Sequence, residues 1–503
     1  MTIRDFTAGG MENTTLTTLT HRTIFSPVTE DLLSSRQLDA HELAHQWFGD
    51  YVTCEDWSQL WLNEGFATYY THLYEGHKLG RDELLYRLHR DAATRILTAE
   101  DDTRPIVFRG YKTAWEQFDF RAYPKGAWVL HMLRTRLGPD VYRTAVRRYL
   151  EKHALSSVVT ADLVAELEDA SGLSLDRFFD QWVYHGGVPK LKVRYKWLPK
   201  EKLARVTVEQ THEVSDDVLL FHLPTTLRFV AGGEVVDHEI VIDRAKHEFF
   251  VPLPSQPSVV VFDPELAVLA ELDFDKPQAM LEAQLVEQGS IIGRLRAAAA
   301  LGDKESKRSV AALAKALQRD PHYAVRMAAA DALGKLQTDE AFAVLAGSLD
   351  PSALRQPSAR VRQRVVMRLG EYYRPDAEAA LVRVAREEPN PGVAAQAVKA
   401  LGLFQTDAAR AAIEAALAKP SLHERYAGLA FEAAERRGDP ALLPAVVAAI
   451  DRRGERYGSR TWTAALTAVA RLAATGGDKT AAREAIVARL DHPKAPVRIA
   501  AIK

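Results

Sequence analysis

The sequence predicts a multidomain, mainly α-helical chain with one small β-sandwich between two helical regions. Three observations carry this prediction. Apolar residues recur at helical spacing through residues 1–188 and alternate with a period of two through 189–275. They then return to helical spacing, in repeated units, through 276–503. A chain of 503 residues is too long for one core. The three stretches are therefore read as three domains.

In the first stretch, helical patterns cover Gln37–Trp47, Glu64–Tyr74, Lys125–Leu137 and Thr160–Ala170, followed by Leu175–Tyr184. Gly186, Gly187 and Pro189 then break the pattern and end the domain. In the second stretch, KLKVRYKW, ARVTVEQT, TTLRFVAG, EVVDHEIVI, EFFVPL and SVVVFDP alternate apolar with polar residues. They are rich in β-branched side chains, and Gly232-Gly233 and several prolines separate them. About six short strands at this spacing read as a sandwich, expected to serve as a structural spacer.

The third stretch is rich in Ala, Leu and Arg and repeats itself. LRAAAALG, MAAADALG, RVVMRLG and AVKALG end at Gly302, Gly334, Gly370 and Gly402, and a weaker copy, AFEAAERRG, ends at Gly438. Each unit is read as a helix closed by a glycine in the left-handed conformation, followed by a second helix such as AEAALVRVAREE. One helix pair cannot bury its apolar face alone, so the copies must stack. The pattern resembles HEAT-like repeats, and solenoids of this kind offer surfaces to protein partners.

Composition removes several function classes. Apolar residues make up 47% and charged residues 26%, as in ordinary globular proteins, and the formal net charge of −2 supplies no bulk attraction to nucleic acid. The single cysteine, Cys54, cannot form an internal disulfide. No apolar run reaches the length of a transmembrane helix, and MTIRDFTAGGMEN lacks the pattern of a signal peptide. The compartment is left open.

The chemistry centres on His41-Glu-Leu-Ala-His45. Residues four apart on a helix lie one above the other, so the two imidazoles can grip one metal ion. Glu42 sits about 100° around the helix from His41, close to that ion without ligating it. Catalytic zinc takes three protein ligands and leaves a position for water. Glu64, in Trp-Leu-Asn-Glu-Gly-Phe-Ala, can supply the third ligand if a second helix starting near Asn63 packs antiparallel to the first. One zinc per chain is expected. His72, His77, His131 and His185 show no partner pattern and are read as surface or core residues. Cys54, Trp47, Phe48, Trp57 and Trp61 are read as packing.

The string HELAHQWFGDYVTCEDWSQLWLNEGFATYY resembles the aminopeptidase N-like gluzincins. Two further motifs match in that family's order: Gly9-Gly10-Met11-Glu12-Asn13 before the zinc helix and Tyr123-Pro124-Lys125-Gly126 after it. The resemblance implies a thermolysin-like α-helical catalytic domain over 1–188. It also implies a zinc-dependent aminopeptidase activity on peptides with a free N-terminus. It assigns His41, His45 and Glu64 to the metal, Glu42 and Tyr123 to catalysis, and Gly9, Gly10, Met11, Glu12 and Asn13 to the substrate. Within that set Glu12 would bind the α-ammonium and Tyr123 would donate to the oxyanion.

The family places a large β-domain before this segment, whereas eight residues precede Gly9. The sequence is therefore expected to be a fragment, a chain with a displaced start, or one half of a split protein. The competing expectation is a non-catalytic scaffold or inactive fragment that binds partners through the solenoid.

Overall fold

The computed structural model describes residues 1–99, 102–287, 289–350 and 356–503. The chain falls into two compact units. The first holds residue 1, residues 8–19 and residues 35–300; the second holds residues 2–7, 20–34 and 301–503.

The first unit opens on short strands. β1 (Thr2–Ile3) precedes it, and β2 (Gly10–Met11) pairs antiparallel with β3 (Thr18–Thr20). Helix α1 (Arg36–Ala44) follows, then β4 (Val52–Cys54), α2 (Trp61–Leu79) and α3 (Arg81–Asp91). After these come α4 (Gly126–Leu137), α5 (Pro139–Lys152), β5 (Ser156–Val158), α6 (Thr160–Ser171) and α7 (Asp176–Phe179). β4 and β5 pair in parallel.

The core of this region forms around α2, which is buried over most of its length because apolar residues cover more than one of its faces. Phe66, Ala67, Leu130, Leu133 and Val129 are fully enclosed. Each buried Leu or Phe contributes about 1.5–3 kcal/mol relative to exposure. Gly65 and Gly126 let α2 and α4 approach closely: a Cβ on Gly65 would lie 3.1 Å from the Cα of Gly126. The Trp61 indole N–H donates to Thr160 Oγ1 at 2.9 Å and ties the start of α2 to the start of α6. Phe48 and Trp61 are core as expected, but Trp47 and Trp57 are 49% and 44% exposed. The helix expected over Leu175–Tyr184 is α7 followed by a π-helical turn, Asp180–Tyr184.

The sandwich contains β6 (Lys190–Leu198), β7 (Leu203–Gln210), β8 (Leu223–Ala231), β9 (Glu234–Ile242), β10 (Lys246–Pro252), β11 (Val259–Phe262) and β12 (Glu271–Asp273). One sheet has the order β10-β7-β6-β12 and the other β11-β8-β9. Six segments matched the alternation; β12 is a three-residue strand, too short to carry a period, and pairs in parallel with β6. Along β8, Leu223, Thr225, Leu227, Phe229 and Ala231 face inward while the residues between them do not, as period two requires. Gly232 and Gly233, at φ +62° and +88°, make the tight β8–β9 turn. α8 (Gln278–Val286) packs on β11, and α9 (Ile291–Leu301) follows.

The second unit contains a run of helix pairs: α10 (Lys307–Arg319) with α11 (Tyr323–Leu336), α12 (Asp339–Gly347) with α13 (Ala359–Leu369), and α14 (Pro375–Glu387) with α15 (Pro391–Leu401). The run continues through α16 (Asp407–Ala418), α17 (Ala427–Arg437), α18 (Leu443–Arg453), α19 (Ser459–Ala474), α20 (Lys479–Val487) and α21 (Ala495–Ile502). From α11 onward the odd-numbered helices form one stacked layer, and α14, α16, α18 and α20 stack in another.

The repeated glycines have a different cause from the one expected. Only Gly438 adopts a left-handed conformation, at φ +63°. Gly370 and Gly402 have helical φ of −63° and −57°, Gly334 lies inside α11, and Gln337 takes the left-handed cap there. What these positions share is close approach to the next repeat. A Cβ on Gly334 would lie 2.5 Å from Arg368 Cδ, one on Gly370 2.8 Å from Ala400 Cβ, and one on Gly402 2.8 Å from the Ala433 carbonyl oxygen. The recurrence therefore records the spacing between layers.

Candidate metal centre and its cavity

α1 and α2 lie antiparallel: Arg36 meets Glu75 near one end (3.6 Å) and His41 meets Glu64 toward the other (3.1 Å). This brings three ligand atoms to one point. His41 Nε2 lies 3.1 Å from Glu64 Oε2 and 3.1 Å from His45 Nε2, and His45 Nε2 lies 3.2 Å from Glu64 Oε2. Donors around a tetrahedral zinc with bonds of 2.0–2.1 Å stand about 3.3–3.4 Å apart, so the triangle fits such an ion. His45 Nδ1 is 2.9 Å from the Phe48 carbonyl oxygen, to which it donates, and this orients Nε2 toward the other two ligands.

The electrostatics point the same way. Burial alone would raise Glu64 and lower His45. The contacts of Glu64 with His41 and His45 outweigh burial, holding the carboxyl down to about 2 and pushing His45 up to about 9. The two imidazoles thus hold the enclosed carboxylate in its charged form.

Glu42 is 4% exposed. Burial, reinforced by the carboxylates of Glu12 and Glu64, pushes it up to about 7 against the opposing charge of His45. A Cβ at Gly10 would come within 2.1 Å of Glu42 Oε1, so any larger residue there would displace the Glu42 carboxylate. Tyr123 sits on a π-helical turn, Arg121–Lys125, immediately before α4. Arg121 anchors that turn through Asp102 and Asp119, and the buried Lys125 donates to the Gly187 carbonyl at 3.0 Å. The Tyr123 hydroxyl donates to Glu64 Oε1 at 2.8 Å. Its burial and the adjacent Glu64 carboxylate push the phenol well above its ordinary pKa, so it stays a donor.

These residues line a cavity of about 390 Å³ together with Ala8, Gly9, Gly10 and Glu12. Within the Gly-Gly-Met-Glu-Asn segment, Gly9, Gly10 and Glu12 line the cavity, whereas Met11 is 40% exposed and does not. Asn13 does not line it either; its side chain bonds Thr18 Oγ1 and the Met11 carbonyl within the hairpin. Glu12 Oε1 lies 3.9 Å from His45 Nδ1, and Gln46 Nε2 donates to the Glu12 carbonyl at 3.0 Å.

The sequence reading missed His72, which lines the cavity with Thr68, Thr71, Arg90, Asp91 and Arg95. The signal was available: Glu64, Thr68 and His72 are spaced by four and share one face of α2.

Residues 1–182 match the peptidase family M1 domain. Residues 279–356 and 351–431 match HEAT repeats. Among curated relatives of the M1 domain, aminopeptidase M1 of Arabidopsis thaliana is 36% identical over 202 residues, covering 39% of this chain and 23% of the relative. Aminopeptidase M1-A of Oryza sativa subsp. japonica is 31% identical over 273 residues, covering 50% and 30%. The chain thus spans less than a third of the length of these relatives. A crystal structure of Legionella pneumophila aminopeptidase A in complex with aspartic acid superposes with a TM-score of 0.69 at 16% identity, covering 100% of this chain and 69% of that one. At this identity the likeness establishes the fold. No described helix is long and apolar enough to cross a membrane.

Proposed function

We propose that the chain is a zinc-dependent aminopeptidase that hydrolyses the first peptide bond of substrates with a free N-terminus. The observation that carries this reading is the convergence of His41, His45 and Glu64, at 3.1–3.2 Å, in a cavity that also holds Glu42, Tyr123 and Glu12. The M1 domain match over 1–182 supports it.

His41, His45 and Glu64 would hold the zinc, whose contribution when bound is to polarise the scissile carbonyl and acidify a water toward a pKa of about 7. Glu42, beside the ligands, would accept a proton from the attacking water and return it to the leaving amine. The Tyr123 hydroxyl, already beside Glu64, donates to the carbonyl oxygen as negative charge develops on it. Glu12 pairs with the substrate α-ammonium, a cation that an internal peptide bond does not offer. Gly9 and Gly10 let the substrate backbone approach, while Met11 and Asn13 shape the hairpin that carries Glu12.

The test is hydrolysis of an aminoacyl anilide by the zinc-loaded chain, with metal content measured in parallel. Glu42→Gln should retain about one zinc and lose turnover. Turnover that survives this change would overturn the assignment of the base, and a chain that binds no zinc would overturn the reading altogether.

A further inference from the structure

We infer that the cavity ends, on the side away from Glu12, in a carboxylate-recognising subsite formed by His72, Arg90 and Arg95. The substrates are accordingly peptides with a carboxylate about three residues beyond the scissile bond. The inference rests on the aminopeptidase reading for its direction of substrate travel.

The antiparallel pairing of α1 and α2 gives the cavity two ends. Glu12 lies at the C-terminal end of α1, against His45 and Gln46. The metal-ligand triad comes next. Gln37 and Leu38, at the N-terminal end of α1, and His72, eight residues beyond Glu64 on α2, line the far end. Two helical turns place His72 about 12 Å along the α2 axis from Glu64. An extended peptide advances about 3.3–3.6 Å per residue. The 12 Å correspond to about three and a half residues, so a substrate anchored by its ammonium at Glu12, with its first carbonyl at the triad, brings the carboxylate of its third residue past the cut to His72.

The chemistry at that end is cationic and incompletely satisfied. His72 is 5% exposed, and its Nε2 bonds Asp91 Oδ2 at 2.9 Å, but its Nδ1 is buried with no hydrogen-bond partner. Buried polar atoms are nearly always paired, so an orphan in a cavity wall marks a place for a ligand atom. Arg90 Nη2 holds Asp91 Oδ1 at 3.1 Å, which fixes the imidazole through Asp91. Arg95 is exposed, lines the cavity and has no ion-pair partner among the described residues. Glu12, Glu42 and Glu64 make one end of the cavity acidic, and Arg90 and Arg95, against the single carboxylate of Asp91, leave the other net positive. That polarity matches a peptide with an ammonium at its start and a carboxylate a few residues later. A guanidinium is well suited to carboxylate geometry.

The carboxylate can come from the C-terminus of a tetrapeptide or from an acidic side chain in a longer peptide. Calorimetric titration of the zinc-loaded Glu42→Gln chain with tetraalanine and tetraalanine amide reads the subsite without turnover. The free acid should bind about tenfold more tightly, the usual order for a charge-assisted contact. Arg95→Gln should bring the two affinities together, and Arg95→Lys should keep part of the difference. An amidated tetrapeptide with aspartate as its fourth residue separates the sources. Tight binding of this peptide assigns the subsite to acidic side chains, and tight binding of the free acid alone assigns it to short peptides. Equal affinity for all three peptides in the parent overturns the inference, as does a preference that survives both Arg95→Gln and His72→Gln. Anilide hydrolysis by the unmutated chain is the separate control: its absence would remove the aminopeptidase reading, while the titration would still report on the subsite.

Discussion

The Tyr123 hydroxyl reaches Glu64 from a π-helical turn that contains Pro124 and leads into α4. If that hydroxyl donates to the developing oxyanion, Tyr123→Phe should lower kcat by roughly 10²–10³ and leave the zinc content unchanged, as metal analysis beside anilide kinetics would read. A second residue-scale prediction concerns Asp91. Burial would raise its pKa, but the hydrogen bond with His72 and the nearby Arg90 outweigh that and hold it down to about 2. A carboxyl depressed in the folded state stabilises the fold above its unfolded pKa, and this stabilisation is lost as pH falls through the folded value. Asp91 should therefore contribute about 2 kcal/mol above pH 4, disappearing between about pH 4 and pH 2. Urea unfolding of Asp91→Asn should show a shallower fall in stability across that window than the parent.

Among the elements, the glycines of the helical repeats separate two effects that a sequence pattern cannot distinguish. Gly402 approaches the backbone of the next repeat, where a Cβ would meet the Ala433 carbonyl oxygen at 2.8 Å and Cα at 2.9 Å. Backbone atoms cannot rotate away, so Gly402→Ala should force the layers apart and cost about 1–3 kcal/mol. At Gly438 the nearest atom to an added Cβ is 3.6 Å away, and the penalty is the left-handed backbone alone, about 1 kcal/mol. Equilibrium urea curves for the two variants would show whether the closer contact is the more costly.

Over the whole molecule, the groups of candidate metal ligands found among the described residues all lie in the first unit, at His41, His45 and Glu64 and at the adjoining Glu12, Glu42 and His45. Zinc binding to the folded state alone adds about 4 kcal/mol when free metal is a thousandfold above its Kd. Adding zinc should raise the melting transition of the full chain in calorimetry, and chelation should reverse the rise. Unchanged melting at saturating zinc would count against a preformed site.

Local spacing made the metal ligands legible. Two histidines four apart on a helix have their relation set by helix geometry, and an Asn-Glu-Gly segment downstream offers a third ligand. The alternation of the sandwich and the recurrence of the helix pairs were legible for the same reason, since each is a periodicity of neighbouring residues. Contacts between elements were not. That Gly10 yields space to Glu42, that Met11 turns from the cavity while Glu12 enters it, and that His72 joins Asp91 at its far wall all depend on how α1, α2, α3 and β2 pack. Side chains distant along the chain become neighbours only through that packing, and no spacing rule encodes it.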